Sequence, residues 1–264
     1  MKWRIIAIAA SLIPLIIIAV LLDVTPQDVL AVGLFPFILA GLAAFAKLVV
    51  QGVRFHYYLR RFVGRIGTFG KNIEVRMGSE FVTLTTPSYT GGEFVRVAWL
   101  HKNGVHAGKG MWLITTEVVS DVLVGGTLAY IAAAWAFMVQ NYLIASAIVA
   151  ITTPIFVAYI ALLILSSKRI LQMPRFTLPL LTRIVGVERA VKWTGVMNDT
   201  LRVLCETARE NLHTSSIKIF AVGIALTFVG ASLHALTFMI IAGTKATVGF
   251  FESLMCPSAP AGLV

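Results

Sequence analysis

Acidic side chains are scarce in this sequence: 12 Asp and Glu stand against 22 Lys and Arg, and charged residues of both signs make up only 13% of its 264 positions. A chain this poor in charge and 58% hydrophobic, with a mean hydropathy of +0.87, cannot bury its apolar surplus in a water-soluble core, which excludes an ordinary globular enzyme or binding domain. Cysteine is nearly absent; Cys205 and Cys256 lie far apart and give neither a disulfide framework nor a paired metal-ligand spacing. The five histidines (His56, His101, His106, His213 and His234) form no zinc pattern, so no metal is expected. The stretch from Gly104 to Gly110 contains no Walker or dinucleotide fingerprint, so neither a cofactor nor a nucleotide-driven step is expected. There is no separate basic domain either, and the net charge of +10 therefore does not point to nucleic acid.

What the sequence has in abundance is long apolar runs. A bilayer core about 30 Å thick needs roughly 20 apolar residues per helical span. Five segments meet or approach this: residues 5–22, 29–50, 115–139, 142–165 and 217–242. The first follows Lys2 and Arg4 and ends at Leu22-Asp23-Val24 without a small-residue cleavage site, so it reads as an uncleaved span. With the N-terminus placed in the cytoplasm, 21 of the 22 Lys and Arg residues fall inside and Lys245 alone falls outside, which gives the expected orientation in a cell membrane. The expected fold class is all-α: a polytopic helical membrane protein.

Two cytoplasmic segments read as amphipathic helices. Residues 54–66 are basic and aromatic, which suits a helix lying along the interface, and 187–212 carries Trp193, Met197, Leu201, Leu204, Cys205, Ala208 and Leu212 at spacings of three and four. From 77 to 100 the chain is too apolar for a free loop, yet Pro87, Gly91 and Gly92 interrupt it too early for either half to cross a bilayer. The expectation is a re-entrant hairpin, whose irregular backbone is tolerated at membrane depth only inside protein or a water-filled cavity. The tail, 256–264, shares the frame Pro-Ser-x-x-x-Gly with this break (Pro87-Ser88 and Gly92 against Pro257-Ser258 and Gly262), which suggests an internal repeat and the first half of a second hairpin.

Charges inside these apolar segments mark the candidate site. Gly91 and Gly92 open a short helical run whose free N–H groups form an anion-attracting end, and Arg96 adds a bidentate cation. Glu93 has two readings: a first-turn cap paired with Arg96 three residues on, or part of a ligand site. Glu117 and Asp121, four residues apart, stack two carboxylates on one helical face, where they repel unless a cation or proton lies between them. Their alternatives are a solvated helix end and a functional intramembrane pair.

The run Thr86-Pro87-Ser88-Tyr89-Thr90-Gly91-Gly92-Glu93-Phe94-Val95-Arg96, with Glu117 and Asp121 after it, resembles a flippase-like family related to the transmembrane domain of lysylphosphatidylglycerol synthase. Ala259-Pro260-Ala261-Gly262-Leu263 looks like the opening of that family's later Pro-rich and Gly-rich hairpin, which implies either that the rest of that hairpin and the spans after it are supplied otherwise or that the sequence is a truncated member. Ser88-Tyr89 stands where many relatives have Gly-Arg, which removes one cation from the motif. The resemblance implies binding and flipping of an anionic or modified lipid, such as an aminoacylated phospholipid or a polyprenyl-linked glycolipid. The lipid-binding set it implies is Pro87, Ser88, Tyr89, Gly91, Gly92, Glu93, Arg96, Glu117, Asp121, Pro257, Pro260 and Gly262, with no catalytic residue. No soluble aminoacyl-transfer domain follows the spans, so enzymatic activity is not expected. Membrane lipids are the expected partners, and a homo-oligomer is left open. The alternatives are a membrane-embedded enzyme acting on lipid headgroups and a non-transporting scaffold of envelope biosynthesis.

Overall fold

A computed structural model describes residues 27, 32–86, 91–168, 172–174, 176–212 and 216–242. The predicted first span and the tail motif with Pro257, Pro260 and Gly262 lie outside the described residues, as do Pro87, Ser88 and Tyr89. The described residues form eight helices and no strand: α1 (Leu34–Phe62), α2 (Phe69–Thr85), α3 (Gly91–Lys102), α4 (Ala107–Met138), α5 (Tyr142–Lys168), α6 (Thr177–Val185), α7 (Val187–Asn211) and α8 (Ser216–Ala242). Four of them, α1, α4, α5 and α8, are long and apolar enough to cross a membrane. Their outward faces carry large apolar side chains such as Phe35, Leu143 and Val157, which water would penalise and hydrocarbon accepts. The all-helical polytopic architecture expected from the sequence is the one that forms.

Helix α1 differs from its sequence reading. It runs unbroken for 29 residues, about 43 Å at 1.5 Å per residue, so 54–62 is the last part of a long helix rather than a separate interfacial one. The reason is packing: Phe55, Tyr58, Leu59 and Phe62 recur at three- and four-residue spacing and form a core with Leu100, Val105, Leu113 and Ile114. Tyr58 also sets a close crossing with α8, because any Cβ at Gly223 would fall 1.6 Å from its hydroxyl. Backbone bonds from Val63 and Gly64 to the Leu59 carbonyl close the helix, and Gly64 takes φ +126°.

Helices α2 and α3 form a hairpin packed between α1 and α4. The expected break falls between them, but the first arm starts at Phe69, eight residues earlier than the hydropathy suggests, where the Thr68 hydroxyl caps the Lys71 N–H at 3.3 Å. Gly92 is what lets α3 start against α2: a Cβ there would lie 2.3 Å from the Ser79 carbonyl oxygen. Helix α4 begins at Ala107, before the predicted 115, and turns at Gln140 (φ 62°) into α5. Helix α7 packs Leu204, Cys205 and Ala208 on Trp112 of α4, while Trp193 and Met197 face outward.

Candidate functional site

Three helices bring polar stripes to one place. In α1, Lys47, Gln51, Arg54 and Tyr58 follow one another at four, three and four residues; in α2, Asn72, Arg76, Ser79 and Thr83 do the same; in α4, Thr116, Glu117, Ser120 and Asp121 share one face. At their meeting point Glu117 is fully buried, and Arg54, Arg76 and Arg96 are 1%, 5% and 5% exposed. Ion pairs knit them together. Arg96 Nη1 donates to Glu117 Oε2, and Arg54 grips Asp121 with both Nη atoms, the Nη2–Oδ2 bond being 2.9 Å. Arg76 Nη1 donates to Glu80 Oε2 at 2.6 Å, one turn along α2. Arg54 Nη1 also donates to Thr227 Oγ1 of α8, and the Tyr58 and Ser120 hydroxyls meet at 2.7 Å.

The charges balance: buried Arg54, Arg76 and Arg96 face buried Glu117, partly buried Glu80, and Asp121, whose side chain is 45% exposed. Neutrality is what makes burial affordable, since a single unpaired charge near a helix centre costs about 2.5–3.5 kcal/mol on insertion scales. The hydrogen bonding is less complete than the charge balance. Glu117 Oε1 lies 3.6 Å from Arg54 Nε and 3.9 Å from Arg76 Nε, and all three atoms are buried without a hydrogen-bond partner. One carboxylate thus sits among three guanidiniums, bonded to one and merely near the other two.

The sequence-predicted residues divide accordingly. Arg96, Glu117 and Asp121 belong to the cluster, and the cation expected between the two carboxylates is Arg54. The local Glu93–Arg96 pair is not made: Arg96 reaches across to α4, and Glu93 enters none of the ion pairs among the described residues. Burial pushes the Glu93 carboxyl above its ordinary range; the Arg96 charge opposes this, and Glu117 and Asp121 reinforce it. Glu80 goes the other way: burial raises it, but the charge and hydrogen bond of Arg76, with the charges of Lys47 and Arg96, together hold it low. At the hairpin tip the Gly91 N–H is taken by the Thr86 hydroxyl at 3.1 Å, and Gly92 is packed against α2, so this glycine pair shapes the hairpin.

Sequence reasoning missed Arg54, Arg76, Glu80 and Thr227. The signal was the three–four spacing of polar residues along otherwise apolar faces, which marks buried stripes that must find partners on other helices. Beside Arg54 and Asp121 lies a cavity of about 170 Å³, lined also by Lys47, Gln51, Thr227 and His234. It shares Gly125, Ala231 and His234 with a larger apolar cavity of about 320 Å³ between α4, α5 and α8, walled by Ile151, Ile155 and Phe156.

A family model described as "Lysylphosphatidylglycerol synthase TM region" matches residues 3–254. No curated protein and no solved structure matches the chain.

Proposed function

We propose that this chain, which belongs to the lysylphosphatidylglycerol synthase TM region family, binds and flips an anionic or modified lipid across the cell membrane, with its N-terminus in the cytoplasm. Family membership and the apolar helices make it an integral membrane protein related to lipid metabolism. The observation that favours translocation is the junction of a charged cavity with an apolar one, the two halves of an amphiphile's environment, set among helices long enough to span. Candidate substrates are an aminoacylated phospholipid and a polyprenyl-linked glycolipid.

The buried cluster supplies the moving part. Glu117 has three guanidiniums within 4 Å, so an arriving headgroup phosphate exchanges for it on one arginine while the others keep it neutralised. Such partner exchange lets the α2–α3 hairpin shift against α4 without exposing a bare charge to hydrocarbon. Glu93, whose carboxyl burial holds towards its protonated form, is the group suited to carry a coupling proton. The test is dithionite quenching of fluorescent lipids in proteoliposomes containing the full chain. Arg96→Ala should slow the initial flip rate at least tenfold relative to equally abundant wild-type protein. Equal rates for the two would overturn the proposal.

A further inference from the structure

We propose a second anion seat, separate from the hairpin, in which Lys47 of α1 and His234 of α8 hold the phosphodiester of a lipid whose chain lies in the apolar cavity between α4, α5 and α8. The seat rests on the lipid-binding reading above and says where on the protein the headgroup sits.

The charges in this cavity are unequal in availability. Arg54 and Asp121 line it, but each is committed to the other through two bonds, and Thr227 accepts from Arg54. Lys47 is different: it enters none of the ion pairs among the described residues, although it sits within an apolar helix that spans. Glu80, whose carboxylate feels the Lys47 charge, is held by Arg76 at 2.6 Å. Among the described residues the cavity therefore has a net positive wall, with an ammonium that no carboxylate pairs. A guest that neutralises it must be an anion, and a singly charged one leaves the wall neutral.

Two further features narrow the guest. The amide oxygen of Gln51, on the turn between Lys47 and Arg54, is buried with no hydrogen-bond partner, which favours a headgroup carrying a hydroxyl or ammonium donor beside its phosphate. Gly125, Ala231 and His234 then open the charged cavity onto the apolar one, so an acyl or polyprenyl chain leaves the phosphate without crossing water. Gly125 stands at this doorway, and a Cβ built on it meets nothing within 4 Å. A larger side chain there fills the passage without clashing at its root. A free phosphate ion satisfies the ammonium but gains nothing from the apolar half, which separates the two sources of the same anion chemistry.

The experiment is titration of the detergent-purified full chain with dioctanoylphosphatidylglycerol, a short-chain phosphodiester lipid, and separately with inorganic phosphate, read by calorimetry. The lipid should bind wild type at least tenfold tighter than inorganic phosphate. Lys47→Met should weaken lipid binding at least tenfold, and Lys47→Arg should recover it to within about threefold of wild type. Gly125→Leu should weaken the lipid by a similar factor and leave phosphate unchanged. Unchanged lipid binding in Lys47→Met, with a wild-type unfolding temperature, overturns the seat. Equal binding of phosphate and lipid, insensitive to Gly125→Leu, overturns its assignment to a lipid. Failure here with Arg96→Ala still abolishing flip leaves translocation standing; tight lipid binding by a wild-type protein that flips nothing supports the seat and sinks translocation.

Discussion

Two groups of ion pairs in this molecule use the same chemistry in opposite surroundings. On α7, Asp199 bonds Arg202 at 2.6 Å and His106 at 3.1 Å, Arg202 reaches Glu206 at 3.9 Å, and all four side chains are substantially exposed. In the cluster around Glu117, pairs of similar length join α1, α2, α3 and α4 with almost no exposure. At the exposed site, water solvates each charge whether or not it is paired, salt screens the attraction, and loss of a partner is readily replaced. Around buried Glu117 the pairing replaces solvation, so Glu117, Arg76 and Arg96 are present only because their partners are, while Asp121 at the edge of the cluster is half-exposed. The first group decorates a surface; the second sets how four helices meet.

The largest effect should follow from taking the centre out of the buried group. Glu117→Gln preserves shape but leaves Arg96 without its carboxylate, while Arg54 keeps Asp121 and Arg76 keeps Glu80. Breaking one side of a buried pair costs about 3–5 kcal/mol, because the surviving charge is stranded. The variant should lose a large part of its thermal stability in detergent, measured by intrinsic fluorescence. The double variant Arg96→Leu with Glu117→Leu, which removes both charges, should recover much of it and flip no lipid. A Glu117→Gln protein as stable as wild type would erase the distinction between the two groups.

The same contrast explains what could be read from the sequence. Glu117, Asp121 and Arg96 are conspicuous because each is a charge in or beside an apolar run, and hydropathy placed four of the described helices in the membrane. Their partners were not conspicuous. Local spacing proposes Glu93 for Arg96, three residues away, whereas the fold chooses Glu117, 21 positions on, and it joins Arg54 to Asp121 across 67. Helical periodicity reports which face of a segment is polar, but pairing is decided by which faces meet. Arg54 went further astray, since a basic aromatic stretch has the composition of an interfacial helix, and only packing against Leu100 and Leu113 shows Phe55, Tyr58 and Leu59 to be core.

A smaller effect, of opposite sign, should come from Glu93. Its carboxyl is raised in the folded chain, chiefly by burial, so the folded state holds a proton more readily than the unfolded one and ionisation at neutral pH works against folding. Glu93→Gln should therefore raise the unfolding temperature slightly at pH 7.5, by about 1–3 °C for a modest free-energy gain. The gain should shrink as pH falls through the raised carboxyl value and vanish below the ordinary Glu range, where both proteins carry no charge there. A Glu93→Gln protein less stable than wild type at neutral pH would mean that the carboxylate is paired after all and belongs to the buried group.

The smallest effect should be at the exposed group, and there the informative result is constancy. Asp199→Ala removes the acceptor for both Arg202 and His106, the latter standing at the start of α4. The Asp199 carboxyl is held below its ordinary value by hydrogen bonds from Arg202 first and His106 second, yet its side chain is 46% exposed, so water replaces both bonds when the side chain goes. Arg202 keeps Glu206, and His106 keeps its cap on the Gly108 N–H at 3.2 Å, so neither helix loses its local support. The unfolding temperature should match wild type at low salt and at 1 M salt alike, because there is little attraction left to screen. A salt-dependent fall would show that this bridge fastens α7 to the start of α4, and the division between a decorating group and a structural one would then have to be drawn by position in the fold instead of by exposure.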